Sequence, residues 1–294
     1  MVWLNLAVIS GAWGSSFLFV KLISVSVSPF AFAFARGAIA ALALFAWLVI
    51  RAMRQPLPGL PLPTRRDLRH MVVLGTTNGW FANVTTAVAV AHAESATVAM
   101  LQATVPVMVA VLAHFIFVNE RLQLRQGLGI AAGMVGAVLI LSPSTGAEQA
   151  VSGIGITAML LTALSFALGT IYARRISPRD PVMLAAGQQG FGALVAGLIS
   201  AFFEAPQLLQ TAPHIWMLLV VVGVLCSALP TALYLRLLAR ATAVSAALVA
   251  YLQPVWAALL GWIVLSEQIR GAAVIGTALV LLGVFTCTSR QSRG

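Results

Sequence analysis

The chain has 294 residues, of which 61% are hydrophobic and only 8% are charged, and its mean hydropathy is +1.00. A soluble domain carries about 25% charged residues, so this composition excludes a protein whose whole surface meets water. The net charge of +10 is typical of nucleic-acid-binding proteins. Here the basic residues are spread one loop at a time between apolar segments, which argues against a nucleic-acid partner and predicts a lipid bilayer as the surroundings.

Ten apolar segments follow one another along the chain, separated by charged residues, proline and glycine. Each is close to the ~20 residues that an α-helix needs to cross a bilayer. Only helices satisfy their backbone hydrogen bonds within such a segment, so the sequence predicts an all-α membrane protein. The predicted spans are residues 3–23, 30–50, 70–91, 95–117, 125–142, 153–173, 181–203, 214–236, 243–265 and 270–288.

The basic residues predict how these helices are oriented. With both termini inside, 14 of the 17 Lys and Arg residues fall in inside loops, two fall outside and Arg36 lies within a span. The positive-inside rule therefore predicts a multi-pass protein of the cell inner (plasma) membrane with both termini cytoplasmic. The one long connector, residues 51–69, is basic and proline-rich and is predicted to be a stiff cytoplasmic loop.

One short pattern occurs twice, and in each copy a proline is followed by a glutamate and two glycines. The glutamates and glycines of the two copies are each separated by 147 residues. Each span of the second copy comes five spans after its equivalent in the first, so the second copy runs through the membrane in the opposite direction. The sequence thus predicts two inverted five-helix repeats, residues 1–150 and 151–294, an arrangement that recurs in transporters. The copies are Pro106, Glu120, Gly129, Gly136 and Pro254, Glu267, Gly276, Gly283.

The segment Gly-Ala-Trp-Gly-Ser-Ser-Phe at residues 11–17, Pro29 with Arg36, and the duplicated set together resemble one family. The chain is similar to the EamA-type drug/metabolite transporter superfamily along essentially its whole length, as repeats at roughly 3–142 and 153–288. The resemblance implies a ten-helix carrier with cytoplasmic termini, in agreement with the charge distribution. Bacterial members of this architecture include exporters of amino acids, aromatic ones among them.

Polar and aromatic side chains recur at one depth near the middle of the spans. Amides and phenols in lipid require partners inside the protein, so we expect them to point inward. Amides suit the ammonium and carboxylate of a zwitterion, and rings suit an apolar or aromatic side chain. Each residue can instead serve helix packing. The predicted substrate-binding set is Trp13, Ser16, Asn78, Trp80, Phe81, Gln102, Gln188, Tyr234, Tyr251, Gln253 and Trp256.

Arg36 is a cation within a span, seven residues after Pro29, and its counterpart seven residues after Pro181 is the neutral Gln188. A guanidinium in lipid is costly. Arg36 can extend to the outer interface, fix a helix end through carbonyl groups, or hold a substrate carboxylate in a cavity.

The duplicated prolines and glutamates are candidates for moving parts. Pro106 and Pro254 lie near the centres of the fourth and ninth spans, where proline removes a backbone hydrogen bond and bends the helix. Such bends can be hinges beside the pathway or static kinks. Glu120 and Glu267 lie in short turns, where a carboxylate can cap the start of the next helix or close a gate, Glu120 inside and Glu267 outside.

Gly129 and Gly133 fit the Gly-x-x-x-Gly pattern of close helix contact. That contact can lie between the two repeats or between two copies of the chain, so the sequence is compatible with a monomer or a homodimer.

No carboxylate lies near the middle of a span, and intramembrane carboxylates are the usual proton sites of coupled pumps. Their absence predicts a facilitator or a weakly coupled carrier. The family resemblance implies that it exports small metabolites, amino acids in particular, by alternating access, and we expect no cofactor or metal. No motif pairs a nucleophile with a base or assembles metal ligands, which argues against an enzyme. The alternative carrier is a multidrug or organic-cation efflux protein, which would need a negative cavity. A membrane scaffold would need neither the duplicated prolines nor the buried amides.

Overall fold

The computed structural model describes most of the chain as closely packed helices, and helix is the regular structure throughout the part described. The described residues are 2–54, 62–92, 98, 101–141, 152–176, 180–204, 211–265 and 271–288.

Helices occupy each of the ten predicted positions, which confirms the all-α membrane fold. Six of them are long and apolar enough to cross a membrane by length and composition alone. In chain order the helices are α1 (Val2–Ser24), α2 (Pro29–Met53), α3 (Arg65–Leu74, Gly75–Trp80 and Phe81–His92), α4 (Val105–Ile116), α5 (Leu124–Leu141), α6 (Gly153–Arg175), α7 (Pro181–Phe203), α8 (Pro213–Gly223, Val224–Ala228 and Leu229–Leu238), α9 (Ala243–Ala247 and Val249–Leu265) and α10 (Gly271–Thr288).

The helix contacts follow the predicted repeat. Equivalent helices pack on each other, α2 on α7 and α5 on α10. Other large contacts also run between the halves, because α1 packs on α8 and α9 just as α6 packs on α3 and α4. Each half therefore completes its packing with helices of the other half.

Hydrogen bonds at both ends of α2 and α7 show that these two helices are antiparallel. At one end Glu204, which follows α7, accepts from Ser28 Oγ at 2.6 Å and from the N–H of Ala31 at 3.0 Å. At the other end Arg51 donates to Asp180, which precedes α7. Burial would raise the pKa of Asp180, but hydrogen bonds from Arg51 and from two backbone N–H groups outweigh it, so this pKa lies below its ordinary value.

The glycines of the duplicated pattern form the contact between α5 and α10. A Cβ atom placed on Gly136 would lie 2.5 Å from the carbonyl oxygen of Gly276, and one on Gly276 would lie 2.6 Å from that of Gly136. Gly129 of α5 and Gly283 of α10 face each other in the same way, about two helical turns away. The Gly-x-x-x-Gly face of α5 is thus used within the chain, between the two repeats.

Several predicted spans are interrupted rather than continuous. Wide π turns at Gly75–Trp80 and Val224–Ala228 break α3 and α8, which are the third helices of the two repeats. The third span also begins at Arg65 rather than residue 70, because Thr64 forms a capping box there. The fourth span, predicted as one helix over 95–117, has a turn at residues 103–104 instead of a bend at its proline.

A substitution at the α5–α10 contact tests this packing. We expect Gly136→Ala to destabilise the protein by about 1–3 kcal/mol, since the added methyl group meets backbone atoms that cannot rotate away. The measurement is the thermal unfolding temperature of purified protein in detergent.

Gly127→Ala, on the same helix, is the matched control, because a Cβ at Gly127 meets nothing within 4 Å. Equal unfolding temperatures for the two variants would contradict the close α5–α10 contact.

Candidate functional site

Side chains from seven helices, together with Gln102 just before α4, line a cavity of about 90 Å³ between the two repeats, called here the central cavity. This volume is smaller than the ~300–1,000 Å³ of a typical ligand pocket, so the helices must move apart to admit a ligand larger than a few waters. The lining residues are Trp13, Ser16, Arg36, Asn78, Ala82, Asn83, Thr86, Gln102, Thr162, Phe166, Gln188, Gln189, Ser227, Thr231, Tyr234, Leu235 and Gln253.

The guanidinium of Arg36 belongs to this cavity and does not extend outward to the interface. Its side chain is buried, donates from Nε to Ser227 Oγ at 2.6 Å and from Nη2 to the carbonyl oxygen of Cys226 at 3.1 Å. The guanidinium also lies over the ring of Phe32, 5.8 Å from its centroid. The hydrogen-bond acceptors are neutral, and no described Asp or Glu lines the cavity.

The shape of α8 supplies these acceptors. Pro230 has no N–H group, so the carbonyl of Cys226 four residues earlier cannot receive the usual helical hydrogen bond. The helix widens into its π turn at this point, and Arg36 donates to the freed carbonyl. Ser227 Oγ, also in the turn, accepts from Arg36 while it donates to the carbonyl of Val222 at 2.9 Å. Helix α8, in the second repeat, therefore orients the guanidinium of Arg36, which belongs to the first repeat.

Three aromatic rings form one wall of the central cavity. Trp13 from α1, Phe166 from α6 and Tyr234 from α8 lie with centroids 5.2 to 5.5 Å apart. The phenol of Tyr234 is paired with the hydroxyl of Thr170 at 2.9 Å. The wall therefore presents apolar ring surface, whereas the polar end of the tyrosine is already satisfied.

Four predicted substrate-binding residues lie outside the cavity lining. Trp80 and Phe81 pack edge to face with their centroids 5.6 Å apart. Tyr251 is fully buried and donates to the carbonyl of Ile130 at 2.8 Å, which joins α9 to α5. Trp256 packs against α1. These residues serve helix packing, whereas the other seven of the predicted set line the cavity.

Six polar lining residues were not in the predicted set. All lie at the depth that the prediction used or flank a span proline, so the same criterion applied to every Asn, Gln, Ser and Thr would have included them. They are Asn83, Thr86, Thr162, Gln189, Ser227 and Thr231.

Glu120 contacts the ends of two other helices, α6 and α9, on the face predicted to be cytoplasmic. Its side chain is 6% exposed, accepts from Arg174 Nε at 2.7 Å and from the N–H of Ala243 at 2.8 Å. It therefore caps α9, whereas the sequence predicted that it would cap the next helix, α5. At the start of α5, Gln126 accepts from the N–H of Gln123 at 3.2 Å. The partner in the second repeat, Glu267, lies outside the described residues.

The two duplicated prolines occupy different local structures. Pro106 lies in the first turn of α4, directly after the turn at residues 103–104. Pro254 lies inside α9, which is interrupted earlier, at Leu248. Each helix is therefore interrupted on the N-terminal side of its proline.

The comparisons with known proteins agree with this architecture. The EamA-like transporter family matches residues 1–142 and again residues 153–289. The chain belongs to this family. The family resemblance drawn from the duplicated motifs is thereby confirmed, and the protein is a membrane transporter.

Individual relatives cover nearly the whole chain at low identity. The uncharacterised transporter YoaV of Bacillus subtilis is 24% identical over 99% of this chain and 98% of its own length. The uncharacterised inner membrane transporter YedA of Escherichia coli K12 is 26% identical over 93% and 88%. A solved crystal structure superposes with a TM-score of 0.78 at 20% identity, covering 99% of this chain and 97% of that one, which supports the fold alone.

Proposed function

We propose that this EamA-family transporter is an inner-membrane carrier that exports amino acids, in particular apolar or aromatic ones, by alternating access. Both termini then lie in the cytoplasm, as the distribution of basic residues predicts. The observation that carries the proposal is the buried guanidinium of Arg36 at the central cavity, which is held by neutral groups alone.

An uncompensated buried cation favours an anionic ligand. The hydroxyl of Ser227 and the carbonyl of Cys226 orient the guanidinium but leave its positive charge in place. A substrate carboxylate would supply the missing charge through charge-assisted hydrogen bonds, and arginine suits this because its planar fork matches a carboxylate. The neighbouring ring wall would pack the substrate side chain.

The organic-cation alternative is disfavoured by the same observation. A cation in the cavity would be repelled by Arg36 at short range in a medium of low dielectric constant, where Coulomb energies are large. Among the described residues no carboxylate lines the cavity to offset that repulsion.

Radiolabelled amino-acid exchange in proteoliposomes of purified protein tests the proposal. We expect saturable exchange of labelled phenylalanine that an imposed pH step leaves unchanged, because the described spans offer no carboxylate at cavity depth to couple a proton. Arg36→Gln should lower the exchange rate at low substrate concentration by at least about tenfold.

Arg54→Gln is the control, since Arg54 follows α2 and is exposed. Absence of exchange with every amino acid tried, from folded protein, would reject the amino-acid substrate. Uphill accumulation driven by the pH step would reject the uncoupled mechanism.

Alternating access requires one face of the carrier to close while the other opens. Helices α2 and α7 are tied at both ends, by Arg51 with Asp180 and by Ser28 with Glu204, and so they suit a pivot. Glu120 instead joins the α4–α5 turn to the ends of α6 and α9 at one face, and Arg174 also reaches a carbonyl at the end of α8. We therefore assign Glu120 as the latch of the predicted cytoplasmic gate.

Thiol labelling of the cavity tests this latch. In a chain whose two cysteines are replaced by alanine, Thr231→Cys places a reporter in the cavity lining. Adding Glu120→Gln should raise its labelling by an impermeant maleimide in inside-out vesicles about tenfold, because a loss of 1.4 kcal/mol shifts an opening equilibrium tenfold.

Asp180→Asn removes a charge from the same face but belongs to the pivot, so it should leave the labelling rate near the starting value. A gate at Glu120 is contradicted if both variants accelerate labelling equally or if neither does.

A further inference from the structure

Three amide oxygens of the central cavity are buried without a hydrogen-bond partner. They are the only such side-chain atoms among the residues that the structure describes, and all three belong to lining residues. A buried acceptor that lacks a donor costs free energy, and native proteins keep few of them unless a ligand or water completes them. The oxygens are Asn78 Oδ1, Gln102 Oε1 and Gln188 Oε1.

The three amides come from three different segments of the chain. Asn78 lies in the π turn of α3 and its amide packs against Gly169, where a Cβ atom would overlap it. Gln102 directly precedes the turn at residues 103–104 that interrupts the fourth span. Gln188 is 3% exposed in the middle of α7. In contrast, the adjacent Gln189 is already paired, since its Nε2 donates to Thr231 at 3.0 Å.

The repeat relates one of these acceptors, Gln188, to the cation Arg36. Arg36 and Gln188 are the seventh residues after Pro29 and Pro181, and their helices α2 and α7 pack antiparallel. Both equivalent residues line the same cavity. One offers a positive donor and the other an unpaired acceptor, so the departure from symmetry gives the cavity both kinds of group.

We propose that the three amide oxygens form a subsite for the primary ammonium group of the substrate, an assignment that rests on the proposed function. An ammonium carries three N–H donors, which matches three acceptors in number. The acceptors are neutral, so they hold the ammonium only when the same molecule brings a carboxylate to Arg36. The cavity therefore selects a zwitterion and rejects both a simple amine and an acid that lacks the ammonium.

Ligand pairs that differ at one group test the subsite without any mutation. The dissociation constants of phenylalanine and 3-phenyllactate, which has a hydroxyl in place of the ammonium, are measured from the concentration dependence of the thermal stabilisation of purified protein. We expect phenyllactate to bind at least about tenfold more weakly, because one hydroxyl donor cannot satisfy three acceptors.

Two variants locate the effect at the amides. Gln188→Met removes one acceptor with little change of shape, and Gly169→Ala displaces the amide of Asn78. Both should reduce the preference for phenylalanine over phenyllactate several-fold. Gly153→Ala, on the same helix as Gly169, should not, because a Cβ there meets nothing within 4 Å.

The outcomes separate this subsite from the proposed function. Equal affinities for phenylalanine and phenyllactate would overturn the ammonium subsite, with water satisfying the three oxygens, and would leave a carboxylate carrier standing. If neither compound binds and no amino acid exchanges, the proposed function fails and the subsite with it. A tenfold preference that persists unchanged in Gln188→Met and Gly169→Ala would also overturn the assignment.

Discussion

The burial of the Arg36 guanidinium constrains the rest of the site. A charged side chain at the centre of a membrane helix costs on the order of 2.5–3.5 kcal/mol on insertion scales, so it persists only where the fold supplies partners. Here α8 supplies them, because Pro230 frees a carbonyl and the π turn directs it, with Ser227, toward α2. This arrangement orients the cation without neutralising it. The central cavity thus keeps a positive charge, which the carboxylate of the proposed substrate would complete.

The inverted repeat explains how so short a chain can build this cavity. Glycines bring α5 and α10 into backbone contact, while carboxylates hold both ends of α2 against α7. These equivalent pairs join the two halves, and α2 and α7 also contribute Arg36 and Gln188 to the cavity. Glu120 joins helix ends at one face through Arg174 and the N–H of Ala243. A conformational change can therefore break the Glu120 contacts while the α2–α7 pair stays intact.

The sequence predicts the ten helices and their inversion because span length, basic residues and a 147-residue repeat are each readable along the chain. It predicts the depth of the site but not which side of a helix faces it. Gln253 lines the cavity whereas Tyr251 packs on α5, since residues two apart lie on nearly opposite sides of an α-helix. The sequence also cannot assign Glu120 to α9, because the capped N–H of Ala243 lies 123 residues further along the chain.

The central claim is that the cavity binds its substrate through the carboxylate at Arg36. The most direct measurement compares the affinities of purified protein for phenylalanine and for phenethylamine, the same molecule without the carboxylate. We expect phenylalanine to bind at least about tenfold more tightly and Arg36→Gln to remove this preference. Equal or tighter binding of phenethylamine would contradict the account and would favour an organic-cation carrier.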